Sequence, residues 1–181
     1  MELEHKFHRP EAGLVVGDGA VIEGYASLFG QRDQGGDVVE RGAYAGSLAE
    51  LAAGRRRVKM LWQHDPAQPI GIWDEVREDD RGLFVRGRLL PEVAKGREAA
   101  ALVAAGALDG LSIGYRVARA EKTAGGRRLL TLDLWEVSLV TFPMLATARV
   151  GAKAAVPAES EAVTAAFRAA AQMLASLRAT I

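Results

Sequence analysis

The strongest constraint on the fold is the texture of residues 14–150, where short runs of Val, Ile, Leu and aromatic residues are separated by turns that contain Gly and Asp. Runs of this length and composition are typical of β-strands. We predict strands over 14–16, 20–29, 58–63, 70–77, 83–89, 111–118 and 129–142.

Two predicted helices interrupt these strands. In the first, Tyr44, Leu48 and Leu51 recur at helical spacing before Gly54. The second covers residues 92–105 and ends at Gly106. Helices inserted among runs of strands predict an α+β chain that is mainly β, with an antiparallel β-barrel flanked by helices, rather than alternating β–α units.

A change of composition after Arg149 divides the chain. Residues 1–150 form the predicted main domain, and residues 151–162 are typical of a linker because Gly, Ala, Lys, Pro and Glu dominate them. Residues 163–181 are predicted to form a C-terminal amphipathic helix, which either packs on its own domain or docks on a partner or a second copy. Its apolar seam consists of Val163, Phe167, Ala170, Leu174, Leu177 and Ile181.

The charge balance and the missing cysteines exclude several classes of function. The 23 Lys and Arg residues equal the 23 Asp and Glu residues, so the chain lacks the positive field that nucleic-acid binding needs. Without Cys there is no disulfide, thiolate metal site or Cys nucleophile. The three His residues lack HExxH spacing, so we expect neither a metal nor a cofactor. The charged N-terminus lacks the apolar core of a signal peptide, and no long apolar run follows, so we expect a cytoplasmic protein with no membrane contact.

A Gly-Leu-Ser-Ile-Gly stretch at 110–114 makes Ser112 a candidate nucleophile. The stretch fits the G-x-S-x-G pattern of a hydrolase nucleophile elbow, but its context differs. A helical stretch precedes it, a strand-like stretch follows it, and all three His residues come before Ser112. A base for Ser112 must therefore lie upstream, and His64 is the candidate.

His64 follows a predicted strand, in phase with Val58, Met60 and Trp62 on the face expected to be buried. Asp65 and Pro66 are expected to end that strand directly after it. An imidazole at the end of a buried strand face can reach a serine on a neighbouring strand. The structural alternative is a core or rim histidine held by one hydrogen bond.

Glu136 is the candidate third member of such a site, because it lies in a strand with apolar residues on both faces. A buried carboxylate needs a cationic or hydrogen-bonding partner. That partner is either an imidazole, which the carboxylate would orient, or one of the many Arg side chains. Asp133 and Asp65 are the competing acids.

Two further features are predicted to be structural. The loop from Asp33 to Asp37 lacks the ligand number of a calcium loop and is expected to be a turn. Trp62, Trp73 and Trp135 lie on strand-like segments and are expected to belong to the core.

Five blocks of residues, taken in order, resemble the caudoviral prohead maturation proteases. They are EGYASLFG at 23–30, GDVV at 36–39 with GAY at 42–44, LWQHDP at 61–66 with PIG at 69–71, GALDGLSIGY at 106–115, and WEVSLVTFP at 135–143. The resemblance implies a serine endopeptidase with a β-barrel related to the herpesvirus assemblin proteases. Carried onto this chain, it implies Ser112 as nucleophile, His64 as general base and Glu136 as the third member.

The resemblance also implies partners and a place of action. The enzyme would act inside the immature capsid, in the bacterial host cytoplasm, and would remove the scaffolding part of the major capsid protein and often part of itself. A homodimer is the self-association that the likeness to assemblins suggests, and the C-terminal helix would dock on scaffold or capsid subunits or be trimmed away. The rival functions are a non-catalytic scaffold on the same fold and a serine hydrolase of small esters.

Overall fold

The computed structural model describes residues 21–151. The predicted strand at 14–16, most of the predicted linker and the predicted C-terminal helix lie outside this range. In chain order the elements are β1 (Val21–Leu28), β2 (Val38–Val39), α1 (Ala45–Ala52), β3 (Lys59–Trp62), β4 (Asp65–Glu78), β5 (Gly82–Leu89), α2 (Ala94–Ala104), β6 (Gly110–Thr123), β7 (Gly126–Val140) and β8 (Val150–Gly151).

The strands form one half-barrel sheet in the order β2-β7-β3-β4-β5-β1-β8, with β6 paired to the other side of β7. The segment around β8 lies between β1 and β6, since Val150 pairs with Gly24 of β1 and Arg149 forms an isolated bridge with Gly110 of β6. The prediction of a mainly β chain is confirmed. The predicted barrel is confirmed in part, because the strands form a half-barrel. The prediction of purely antiparallel pairing is wrong, because β2 and β3 both run parallel to β7.

Alternation along the strands places one apolar face inside the curved sheet. In β5, Leu83, Val85 and Leu89 are buried while Arg86 and Arg88 are exposed. The core around them is continuous from β1 to β7. Residues with no measurable exposure include Ile22, Tyr44, Ile70, Leu83, Val85, Leu111, Leu129, Val137 and Leu139.

Both predicted helices are present, and both end where a glycine adopts positive φ. Gly54 (φ 68°) follows α1 and Gly106 (φ 70°) follows α2. Among the tryptophans, Trp73 is buried and its indole N–H donates to the Val137 carbonyl at 3.1 Å, while Trp62 packs partly buried against the core. The core prediction is wrong for Trp135, which is 48% exposed and whose ring contacts the guanidinium groups of Arg56 and Arg116 instead of the core.

Candidate active site

His64 lies in the two-residue turn that joins β3 to β4. Trp62 pairs with Asp65 across the hairpin, and both connecting residues have left-handed backbone, with φ 50° at Gln63 and 63° at His64. Positive φ at both positions is the geometry of a type I′ turn, which Asn and Gly normally occupy. The prediction that His64 continues the β3 face is therefore wrong. Pro66 ends no strand, since β4 begins at Asp65 and runs through it.

The end of β7 and the residue that follows it hold this turn by three hydrogen bonds. The Gln63 N–H donates to the Leu139 carbonyl at 2.9 Å, and the His64 N–H donates to Ser138 Oγ at 3.2 Å. The Gln63 side-chain amide donates to Thr141 Oγ1 at 2.8 Å. The parallel pairing of β3 with β7 brings these groups together, because it places Trp62 opposite Leu139.

The imidazole of His64 contacts the carboxylate of Glu136. His64 Nδ1 lies 2.5 Å from Glu136 Oε1, and Ser138 Oγ donates to Glu136 Oε2 at 2.6 Å. The Glu136 side chain is 12% exposed and that of His64 42%. Of the two partners predicted for Glu136, the structure selects the imidazole rather than an arginine.

The competing acids are engaged elsewhere. Asp133 pairs with Arg56 and accepts the Trp135 indole N–H at 2.9 Å. Asp65 accepts the Ala67 N–H at 2.9 Å and the Gln68 amide at 2.7 Å. Neither carboxylate is a hydrogen-bond partner of His64 among residues 21–151.

The Glu136 hydrogen bond raises the pKa of His64 above its ordinary value, against the opposing effect of partial burial. A carboxylate at Nδ1 favours the neutral tautomer that carries its proton on Nδ1, and it stabilises the imidazolium when a second proton binds. This leaves the lone pair on Nε2. An imidazole held in this way can accept a proton at Nε2 from a hydroxyl.

Ser112 lies in β6, directly opposite Ser138 of β7, so the two hydroxymethyl groups share one face of the sheet. Glu136, two residues from Ser138, is on that face too. Ser112 is 5% exposed. No hydrogen bond joins it to His64 within residues 21–151, and catalytic hydrogen bonds are often long in unliganded enzymes.

The two glycines flanking Ser112 have a packing role that differs from a nucleophile elbow. Gly114 lies opposite Glu136, and a Cβ at Gly114 would approach Glu136 Cδ to 2.6 Å and Cγ to 2.8 Å. A Cβ at Gly110 would approach the Pro143 ring at 2.9 Å. Gly114 therefore makes room for the acid, and Gly110 for the segment that follows β7.

A cavity of about 280 Å³ opens beside Ser112. Its wall is mixed: apolar residues come from the end of β1, from β6 and from the segment after β7, and Asp33, Asp37 and Arg127 supply charged groups. Arg127 pairs with Asp37 at 2.5 Å, and this bond lowers the Asp37 pKa. The loop from Asp33 to Asp37 is a turn, as predicted, in which Asp33 Oδ1 accepts the Asp37 N–H at 2.9 Å.

Ser138 is the site residue that the sequence analysis missed. It is fully buried and contacts both His64 and Glu136. Its position two residues after Glu136 on one strand was the available signal, since residues i and i+2 share a face. Residues 21–151 contain no group of three or more Asp, Glu or His side chains able to hold a metal, and no helix in that range is long and apolar enough to span a membrane.

Comparison with known proteins relates this chain to phage capsid proteases. A family model described as caudovirus prohead serine protease matches residues 8–162. The prohead protease of Enterobacteria phage HK97 is 37% identical over 134 residues, which cover 71% of this chain and 58% of that protein. The capsid polyprotein of Pseudomonas phage PAJU2 is 30% identical over 113 residues, which cover 58% of this chain and 17% of that protein. The matches therefore leave a large part of both relatives uncovered.

The fold has a solved counterpart. The bacteriophage T4 capsid assembly protease superposes with a TM-score of 0.57 at 18% identity, covering 73% of this chain and 89% of that one. The protease of the herpesvirus KSHV gives a TM-score of 0.48 at 13% identity, covering 72% of this chain and 63% of that one. The specific relation to assemblins stays a prediction.

Proposed function

This chain belongs to the caudovirus prohead serine protease family, and we propose that it is a serine endopeptidase that cleaves the scaffolding part of the major capsid protein during capsid maturation, and cleaves itself. The observation that carries the proposal is the contact between His64 Nδ1 and Glu136 Oε1 on the sheet face that also holds Ser112. We assign Ser112 as nucleophile, His64 as general base and Glu136 as the residue that orients His64.

In the proposed mechanism, Ser112 Oγ attacks the carbonyl carbon of the scissile peptide bond while His64 Nε2 takes the hydroxyl proton. The Glu136 carboxylate stabilises the imidazolium at Nδ1. His64 then gives the proton to the leaving amine as the C–N bond breaks, which leaves an acyl-enzyme on Ser112. Water, deprotonated by His64, hydrolyses the ester and releases the new carboxyl terminus.

The surroundings of Ser112 favour an extended peptide as substrate over a small ester. Within residues 21–151, the other edge of β6 is bridged at Gly110, where the Leu111 N–H donates to the Ala148 carbonyl at 2.8 Å. Beyond Leu111, β6 pairs with β7 alone, so its other edge has no strand partner there within the same residues. An extended peptide can add to such an edge by main-chain hydrogen bonds.

The relatives support a capsid protein as the partner. One relative is a prohead protease, another is a capsid polyprotein whose matching part is a small share of its length, and the structural counterpart is a capsid assembly protease. We propose that this chain acts inside the immature capsid, in the cytoplasm of the bacterial host. Its predicted C-terminal helix, 163–181, would dock on scaffold or capsid subunits or be trimmed. A homodimer remains part of this proposal.

Co-expression of this chain with its own capsid protein tests the proposal. Wild type, Ser112→Ala and Ser47→Ala are compared by the intact mass of both proteins. Ser47 is a matched control, because it is a buried serine that bonds the backbone of β7 at Leu132 and Leu134, away from His64. We expect shortened capsid protein with wild type and Ser47→Ala, and intact capsid protein with Ser112→Ala.

Cleavage that persists in Ser112→Ala would overturn the assignment of the nucleophile. Capsid protein that stays intact with every variant, inside particles that contain this chain, would favour the non-catalytic scaffold.

A further inference from the structure

We propose that Ser138 is a positioning residue that sets both the backbone of the His64 turn and the orientation of the Glu136 carboxylate. This inference rests on the proposed function, since it concerns the same site. Ser138 does not touch the reacting atoms in the mechanism above. It acts through His64 and Glu136.

The hydroxyl of Ser138 connects the two residues by different bonds. It accepts the His64 backbone N–H at 3.2 Å and donates to Glu136 Oε2 at 2.6 Å, while Glu136 Oε1 meets His64 Nδ1 at 2.5 Å. These contacts form a closed ring through the backbone and the side chain of His64. Because one oxygen of the carboxylate is fixed by Ser138, the other is directed at Nδ1.

The turn that carries His64 needs such support. Left-handed backbone is disfavoured for residues with a Cβ, and both Gln63 and His64 adopt it. Gln63 is held by the Leu139 carbonyl and by Thr141, but the N–H of His64 has Ser138 Oγ as its partner. Losing this hydroxyl would leave the catalytic half of the turn without its bond to β7.

Because Ser138 is completely buried, water cannot easily take over the hydrogen bonds of its hydroxyl. It has no exposed surface, whereas the side chain of His64 is 42% exposed. Three charged groups lie near the His64 imidazole. Glu136 is bonded to it, and Lys59 lies opposite Glu136 on β3. The Asp65 carboxylate is bonded to Ala67 and Gln68. A change in the titration of His64 therefore reports chiefly on its contact with Glu136.

The test is an NMR titration of the His64 imidazole in the full chain, in a Ser112→Ala background that prevents self-cleavage. A His64→Gln variant distinguishes its signals from those of His5 and His8. We expect Ser138→Ala to bring the raised His64 pKa back toward about 6.5. Ser138→Cys, which keeps the shape of the side chain but donates weakly, should do the same. Ser138→Thr, which keeps the hydroxyl, should preserve the raised pKa.

The matching activity assay uses the serine-containing enzyme and capsid protein. We expect Ser138→Ala to lower kcat roughly 10- to 100-fold with little change in KM, because a misplaced base affects the chemical step. Ser47→Ala, equally a loss of a buried hydroxyl, should leave both the His64 pKa and kcat unchanged.

An unshifted His64 pKa in folded Ser138→Ala or Ser138→Cys would overturn the positioning role. So would an equal change in Ser47→Ala. Because the titration needs no substrate, it can support the role of Ser138 even if Ser112→Ala keeps cleaving capsid protein and the proposed function fails.

Discussion

Two hairpins of this sheet have connections of the same length but of opposite character. The β6–β7 turn, Ala124 and Gly125 between the paired Thr123 and Gly126, contains a glycine, and neither connecting residue has positive φ. The β3–β4 turn, Gln63 and His64, has no glycine and yet is left-handed at both positions. The first turn is compatible with its own residues, whereas the second exists against their preferences.

The difference shows what holds each turn. The β6–β7 turn lies in an exposed ribbon, with Arg32 donating to the Gly125 carbonyl at 2.6 Å. The β3–β4 turn is fastened along β7 by Ser138, Leu139 and Thr141. Strained backbone that the surrounding structure enforces is frequent at functional sites. Here the strained turn is the one that directs an imidazole toward a carboxylate.

The largest expected effect concerns the acid beside the strained turn. Glu136→Gln should reduce kcat/KM about 10³-fold, because the amide cannot stabilise the imidazolium and permits the wrong tautomer. The matched control is Glu121→Gln in the β6–β7 ribbon, where the carboxylate lies 3.4 Å from Arg128 and is exposed. Rates of capsid-protein cleavage measure both. Equal losses of kcat/KM in the two variants would mean that the carboxylate beside the β3–β4 turn has no special role.

A smaller effect is expected from pH. Because the folded-state pKa of His64 is raised, activity should fall roughly tenfold per pH unit below that value, where the base is protonated. The contribution of the His64–Glu136 pair to stability has the opposite trend: it is fully present below about pH 6.5 and is lost as pH rises through the raised pKa. The measurements are a pH–rate profile and urea unfolding across the same range.

In Glu136→Gln, the acid limb of that pH–rate profile should move to lower pH. An unmoved limb would mean that the titration belongs to another group.

The smallest effect isolates the backbone strain. Gln63→Gly and Gln63→Ala both remove the amide that bonds Thr141, so their difference reports the left-handed φ of 50°. We expect the Gly variant to unfold with about 1 kcal/mol more free energy than the Ala variant. At Gly125, where φ is not positive, Gly125→Ala should change stability by less than about 0.5 kcal/mol. Urea denaturation measures all three, and equal stability of the two Gln63 variants would contradict the strain.

Local patterns were sufficient for much of the fold. The prediction of a strand at 20–29 corresponds to Val21–Leu28, and the helix ends predicted at Gly54 and Gly106 are observed. These features depend on alternation, helical spacing and glycine, which act over a few residues. The exposure of Trp135 was not predictable in this way, since it depends on which elements cover that part of β7.

The candidate site shows the same division between local sequence patterns and tertiary contacts. The sequence by itself determined which groups are available, Ser112, His64 and Glu136, and that β-rich segments carry them. Only the tertiary structure decided that His64 occupies a left-handed turn, that Glu136 meets it instead of an arginine, and that Ser138 joins them. The reason is the parallel pairing of β3 with β7, a contact between segments more than 70 residues apart that no local preference encodes.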